Sequence, residues 1–98
     1  MKTVTICGSM RFAYEMIKIA TELETERGFC VLQPVYGVDG KALNDDELSR
    51  IKAAHYKKID LSDAVYIVNI GGYIGQSVTE EIEYAKERGK EILYHEPI

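Results

Sequence analysis

The stretch Ala64-Val65-Tyr66-Ile67-Val68 runs straight into Asn69-Ile70-Gly71-Gly72-Tyr73-Ile74-Gly75, and Ser77 follows two residues later. Five apolar residues with no polar alternation read as a strand inside a sheet covered on both faces. The three glycines read as a turn. From Ser77 to near Gly89, Val78, Ile82 and Ala85 recur at i, i+4 and i+7, the stripe of a helix lying on a core.

The same unit recurs outward from this point. Residues 3–7 are short and β-branched, and Gly8-Ser9-Met10-Arg11 leads from them into a helix over 12–27. Phe12, Met16, Ile19, Ala20 and Leu23 carry its apolar spacing, and Gly28 stops it. Residues 29–32 form a continuous apolar run, expected to be a strand buried on both faces. Pro34, Gly37 and Gly40 mark a loop. Asn44 or Asp45 caps a second helix reaching about residue 58, with Leu48, Ile51, Ala54 and His55 on one face. Residues 91–94 make a last strand.

The order β-α-β-α-β-α-β implies a parallel sheet with helices on both faces. Right-handed crossovers give a small doubly wound α/β domain of the Rossmann/flavodoxin kind, with four strands in the order 2-1-3-4. In such sheets a ligand sits beyond the carboxyl ends of the strands, where strand order reverses. Here that point falls between the first and third strands, under the turns at 8–11 and 69–77.

Ninety-eight residues make one domain, residues 1–98, with a single modest core. Twelve basic against sixteen acidic residues give a net charge of -4. That balance disfavours a general nucleic-acid or anionic-membrane binder, which needs a basic surface. The apolar run at the start is too short for a signal peptide, and no segment has the apolar length of a membrane span. A cytoplasmic protein is therefore expected, with Cys7 and Cys30 as reduced thiols. No cofactor is expected, and no His/Cys/Asp cluster has metal-ligand spacing.

Gly8 allows a tight turn, Ser9 offers a hydroxyl, and Arg11 offers a fork for phosphate or carboxylate at a helix start. The plainer role for Ser9 is a helix N-cap. Gly72, Tyr73, Gly75 and Ser77 belong to the second turn, where glycines permit backbone approach to a ligand or only positive φ angles. This turn lacks the Gly-Lys-Ser/Thr ending of a phosphate loop. Tyr73 is placed to stack on a base or sugar, and His95 to reach the cleft rim.

The acids of the third helix separate by geometry. Ser77 and Glu80 have capping-box spacing, so Glu80 is expected to cap. Glu81 lies three residues from Val78 and four from Ala85, on or beside the buried stripe, while Glu83 and Glu87 face water. A carboxylate on a buried edge is costly unless it is paired or used, and both uses stay open. His55 on its apolar face reads first as a packed, hydrogen-bonded side chain. Asp60 and Asp63 precede a strand, at the end of the sheet away from the cleft.

With these residues identified, the chain resembles the nucleoside 2-deoxyribosyltransferase family, which includes 2′-deoxynucleoside 5′-monophosphate N-hydrolases. Gly8-Ser9-Met10-Arg11 is similar to the family's Gly-Ser-Ile-Arg phosphate turn. Residues 62–68 resemble its Ala/Ser-Asp-Val-Val-Val strand. Glu81-Ile82-Glu83-Tyr84-Ala85 resembles the Glu-(Ile/Leu)-Gly-x-Ala segment that carries its nucleophilic glutamate. The resemblance implies that Glu81 attacks C1′ and that Ser9, Arg11 and Ser77 hold a 5′-phosphate or sugar hydroxyls. It also implies a small-molecule nucleoside or nucleotide substrate and a homo-oligomer. Two departures stand out. His55 occupies the region where the family has an aspartate, which makes His55 its candidate general acid, and Glu83 stands where a glycine is common. A looser resemblance, of residues 71–80 to the Gly-Gly-x-Gly-Thr-x-x-Glu signature of lysine-decarboxylase-like phosphoribohydrolases, would move the working acid towards Glu80. A non-catalytic nucleotide sensor on the same cleft is the reading from a different class.

Overall fold

The computed structural model describes residues 1–38 and 42–98. Gly40, part of the expected loop, lies outside the described residues. The strands are β1 (Thr3–Gly8), β2 (Cys30–Leu32), β3 (Ala64–Val68) and β4 (Glu91–Tyr94). The helices are α1 (Ala13–Arg27), α2 (Asp45–Leu61) and α3 (Gln76–Glu87). All strand pairs are parallel and the sheet order is β2-β1-β3-β4, as expected from right-handed crossovers. Thr5 faces Leu32 on one side and Val65 on the other, which fixes the register at the centre of the sheet.

The two faces of the sheet carry separate cores. On one, Met16, Ile19, Ala20 and Leu23 of α1 pack on Val4, Ile6, Tyr66 and Val68. On the other, Ile59 of α2 and Val78, Ile82 and Ala85 of α3 pack on Cys7, Val65 and Ile67. Alternation along β1 makes this division, because successive side chains point to opposite faces. Each fully buried aliphatic side chain contributes roughly 1.5–3 kcal/mol. β3 is buried along its whole length, as its apolar run requires. β2 departs from expectation: it has three residues and is only half-buried. It pairs with β1 alone, so it is an edge strand, and Phe29 precedes it.

α1 begins after one turn of 3-10 helix at Met10–Phe12 and ends where Gly28 adopts φ 68°, a conformation that favours glycine. Asn44 caps α2 in a reciprocal box with Glu47: the Glu47 N–H donates to Asn44 Oδ1 at 2.8 Å, and the Asn44 N–H to Glu47 Oε1 at 3.0 Å. α2 runs past residue 58 to Leu61. Its expected stripe is incomplete: His55 and Ile59 are buried, Ile51 is half-buried, and Leu48 and Ala54 are exposed. Length explains this. At 1.5 Å per residue α2 is about 25 Å long, whereas five-residue β3 spans about 16 Å. The amino-terminal half of α2 therefore overhangs the carboxyl ends of the strands.

The capping box expected between Ser77 and Glu80 does not form. α3 starts one residue earlier, with Gly75 as N-cap and no side-chain cap, so Ser77 lies inside the helix. The Gly75 carbonyl accepts from both the N–H and the hydroxyl of Thr79, each at 3.0 Å. The preceding turn holds Gly71 and Gly72 at φ 66° and 81°. Glu96 pins it: its backbone exchanges two hydrogen bonds with the Asn69 amide, and its carboxylate accepts the Gly71 N–H at 3.1 Å. Among the described residues no helix is long and apolar enough to cross a membrane.

Candidate functional site

The overhang of α2 leaves a cleft of about 470 Å³ above the carboxyl ends of β1 and β3. Gly8 and Ser9 form part of its floor. Met10, Val35, Leu48 and Ile51 supply an apolar wall. Lys52, His55 and Tyr56 reach in from α2, and Tyr73, Gly75, Ser77, Glu80 and Glu81 from the opposite side. The mixture of apolar wall and a few convergent polar groups suits a small, partly polar molecule.

Glu81 and His55 meet at the buried end of this cleft. His55 Nε2 lies 3.3 Å from Glu81 Oε1, with side chains only 11% and 15% exposed. The thiol of Cys7, at the end of β1, lies 3.6 Å from the same nitrogen. Among the described residues the other ring nitrogen, Nδ1, is buried without a hydrogen-bond partner. A buried N–H with no acceptor costs about 1–3 kcal/mol, so the proton belongs on Nε2, where it can be donated to the carboxylate. Burial pushes the Cys7 thiol well above its ordinary range, and the Glu81 charge and hydrogen bond push it further the same way. Cys7 is therefore a neutral thiol beside a carboxylate. Tyr56 is also raised, first by burial and then by Glu81 and Glu80, and keeps its phenolic proton.

Seven of the expected site residues border the cleft: Gly8, Ser9, His55, Tyr73, Gly75, Ser77 and Glu81. Two do not. Arg11 is not itself part of the lining; its guanidinium carbon lies 3.8 Å from the ring centroid of Tyr73, a lining residue, in a cation–π contact. Gly72 is exposed in the 3-10 turn at a positive φ that by itself favours glycine, and it is not part of the cleft lining. Ser9 does cap the first turn, accepting the Arg11 N–H at 3.3 Å. Gly8 is required for closeness more than for turning: a Cβ there would stand 2.9 Å from Met16 Sδ and 3.1 Å from Val68 Cβ.

Other expectations resolve by position. His95 hydrogen-bonds the Tyr66 hydroxyl at 2.9 Å and does not reach the cleft. Asp63 accepts the Thr3 N–H and Asp60 the Tyr84 hydroxyl, both at the far end of the sheet. Glu80 points to Lys52, 3.9 Å away, and Glu83 is exposed.

Sequence reasoning missed Cys7, Lys52 and Tyr56. Period-two alternation puts Cys7 with Thr5 on the α2–α3 face, and Lys52 precedes His55 by three residues and Tyr56 by four. Those spacings were the available signal. Sequence spacing also showed no metal-ligating cluster, yet the fold brings Cys7, His55 and Glu81 together from three separate elements. Their donor atoms all lie within 4.8 Å of one another.

No family model matches the chain, and no curated protein sequence matches it. Among solved structures, it is similar to that of a CMP N-glycosidase from Clostridium botulinum, BcmB, with a TM-score of 0.59 and 19% identity. The match covers 95% of this chain and 70% of that one. At that identity the likeness establishes a shared overall fold and nothing finer.

Proposed function

We propose that this chain cleaves the N-glycosidic bond of a nucleoside or nucleoside 5′-monophosphate, with Glu81 as nucleophile. The observation that carries this reading is a single carboxylate, largely buried and held by His55 at 3.3 Å, at the inner end of a cleft sized for a nucleotide. The BcmB likeness supports the reaction class, because that neighbour's name describes cleavage of CMP at this bond.

In this mechanism a Glu81 oxygen bonds to C1′ as the bond from C1′ to the base nitrogen breaks. The base leaves with that electron pair and takes up a proton. Water, or a second base, then attacks C1′ and releases the carboxylate. Donation from His55 Nε2–H orients Glu81 before attack. Using His55 as general acid would require a proton on Nδ1, an atom buried without a partner among the described residues, so positioning is its better-supported role. Tyr56, protonated and in the same wall, is the available donor to the departing base. Ser9 and Ser77 offer hydroxyls to a phosphate or sugar, and Tyr73 a ring to stack on the base. The family resemblance extends the proposal to a homo-oligomer, which light scattering on the purified chain will test.

Incubation with ribo- and deoxyribonucleosides and their 5′-monophosphates, followed by chromatography for free base, tests the proposal. Base release that is lost in Glu81→Gln and kept in Glu83→Ala supports it. Loss in Glu80→Ala but not in Glu81→Gln would transfer the role to Glu80. Binding across the panel without any base release would sink the enzyme reading and leave a nucleotide sensor.

A further inference from the structure

Cys7, His55 and Glu81 offer one sulfur, one imidazole nitrogen and one carboxylate oxygen to a common point. Each comes from a different element: the end of β1, the middle of α2 and the first turns of α3. The spacing is informative. For tetrahedral zinc, Zn–S of about 2.3 Å and Zn–N or Zn–O of about 2.0–2.1 Å imply an S···N edge of about 3.6 Å and an N···O edge of about 3.3 Å. The observed edges are 3.6 Å from Cys7 Sγ to His55 Nε2 and 3.3 Å from His55 Nε2 to Glu81 Oε1. Two edges therefore match tetrahedral lengths, and the third, from Cys7 Sγ to the Glu81 carboxylate, is within 4.8 Å, leaving the carboxylate to adjust on binding. His55 and Glu81 border the cleft while Cys7 lies behind them, so the fourth corner opens toward the cleft.

We propose that Cys7, His55 and Glu81 form a three-ligand site for a thiophilic divalent metal, Zn²⁺ above all, whose fourth position faces the cleft. Mixed Cys/His/carboxylate donors suit zinc, whereas calcium and magnesium take all-oxygen sites. On binding, a Zn–S bond forms and the thiol proton leaves to solvent. The imidazole proton moves from Nε2 to Nδ1, freeing the Nε2 lone pair for the metal. Nδ1–H then has no acceptor among the described residues, so affinity falls about ten- to a hundredfold below that of a site with a complete outer shell. Binding is therefore reversible, which suits a regulatory ion. The metal site stands independently of the glycosidase reading. Its functional consequence rests on that reading: a metal on Glu81 occupies the nucleophile, so zinc switches cleavage off.

The test uses the reduced, metal-free chain titrated with Co²⁺ and then with Zn²⁺. A 1:1 complex is expected, with a thiolate-to-cobalt charge-transfer band in the near ultraviolet and strong visible bands of tetrahedral cobalt, both erased by Zn²⁺. Cys30→Ser should keep the signal. Cys7→Ser should lose the charge-transfer band, and Glu81→Gln should weaken Zn²⁺ binding more than about a hundredfold, beyond the effect of losing an outer-shell partner. Circular dichroism establishes that each variant is folded. A folded wild type without the band overturns the proposal, as does a band that survives Cys7→Ser or vanishes in Cys30→Ser. These spectra need no turnover, so an inactive protein that binds cobalt this way refutes only the glycosidase reading. An active protein without the cobalt signal refutes only the metal site.

Discussion

Gly8→Ala is the substitution whose cost is most directly set by the packing. The added Cβ would lie 2.9 Å from Met16 Sδ, 3.4 Å from Met16 Cε and 3.1 Å from Val68 Cβ. The first distance is shorter than carbon and sulfur tolerate. Val68 Cβ is fixed to the central strand, so Met16 must move, and Met16 is fully buried in the α1 core. Overpacking of this kind costs about 1–3 kcal/mol. Alanine returns roughly 0.5–1 kcal/mol by restricting the unfolded chain relative to glycine. The net expectation is a loss of about 1–2 kcal/mol. For a chain near 100 residues, at about 4–8 °C per kcal/mol, Tm falls by roughly 5–15 °C. Calorimetry or thermal circular dichroism measures this. The same experiment on Met16→Ala and on the double variant separates causes. Met16→Ala alone removes a buried side chain and costs about 2–5 kcal/mol. In the Gly8→Ala background part of that cost is cancelled by relief of the clash, giving a coupling of about 1 kcal/mol or more. A Gly8→Ala protein that melts at or above the wild-type temperature, with an additive cycle, would refute the close-approach explanation.

Three further outcomes are expected. Burial raises the Cys7 thiol in the folded state well above its ordinary value of 9.0, so its stabilisation is complete below pH 9 and is lost as pH climbs toward the folded value. From pH 9 to 10 wild type should lose about 1 kcal/mol more than Cys7→Ala in urea unfolding, and parallel curves would contradict a buried neutral thiol. Asn44→Ala removes one half of the α2 capping box and should cost about 0.5–2 kcal/mol by the same assay, with Asn44→Asp close to wild type. Glu96→Ala frees the Gly71 N–H, so amide exchange at Gly71 should accelerate severalfold while the β3 amides stay protected; unchanged exchange would mean the pin does not hold the turn.

Much of the architecture was legible because the strands and helices announce themselves by period. β3 and β4 fall where the sequence places them, and the 2-1-3-4 order is that of a doubly wound sheet with right-handed crossovers and helices on both faces. The departures share one origin, in that local pattern does not say what lies opposite. β2 reads as a doubly buried strand but has one neighbour, and Leu48 and Ala54 read as core but sit on a helix longer than the sheet beneath it. The capping box at Ser77 failed because the helix could start a residue earlier on a glycine carbonyl, a choice that spacing cannot rank. At the site, helical geometry placed Glu81 on the buried edge and His55 inward, and the fold joins them. Cys7 was hidden because a cysteine at a strand end looks like any small apolar residue until its cross-sheet neighbours are known. The contact that holds Arg11 was hidden for the same reason: its partner, Tyr73, is distant in sequence.

The sheet separates two jobs that a small domain usually has to share. The residues around Glu81 all stand on the α2–α3 side, whereas α1 meets the opposite face through Met16, Ile19, Ala20 and Leu23 alone. Laboratory evolution could therefore work on each side in turn, hardening the α1 side first and then varying Leu48, Ile51 and Val35 for new substrates from a sturdier start. Gly8 and Met10 cross that divide, Gly8 facing the cleft above and Met16 below and Met10 lining the cleft while packing on the α1-side core, so a library that randomises either would confound the two.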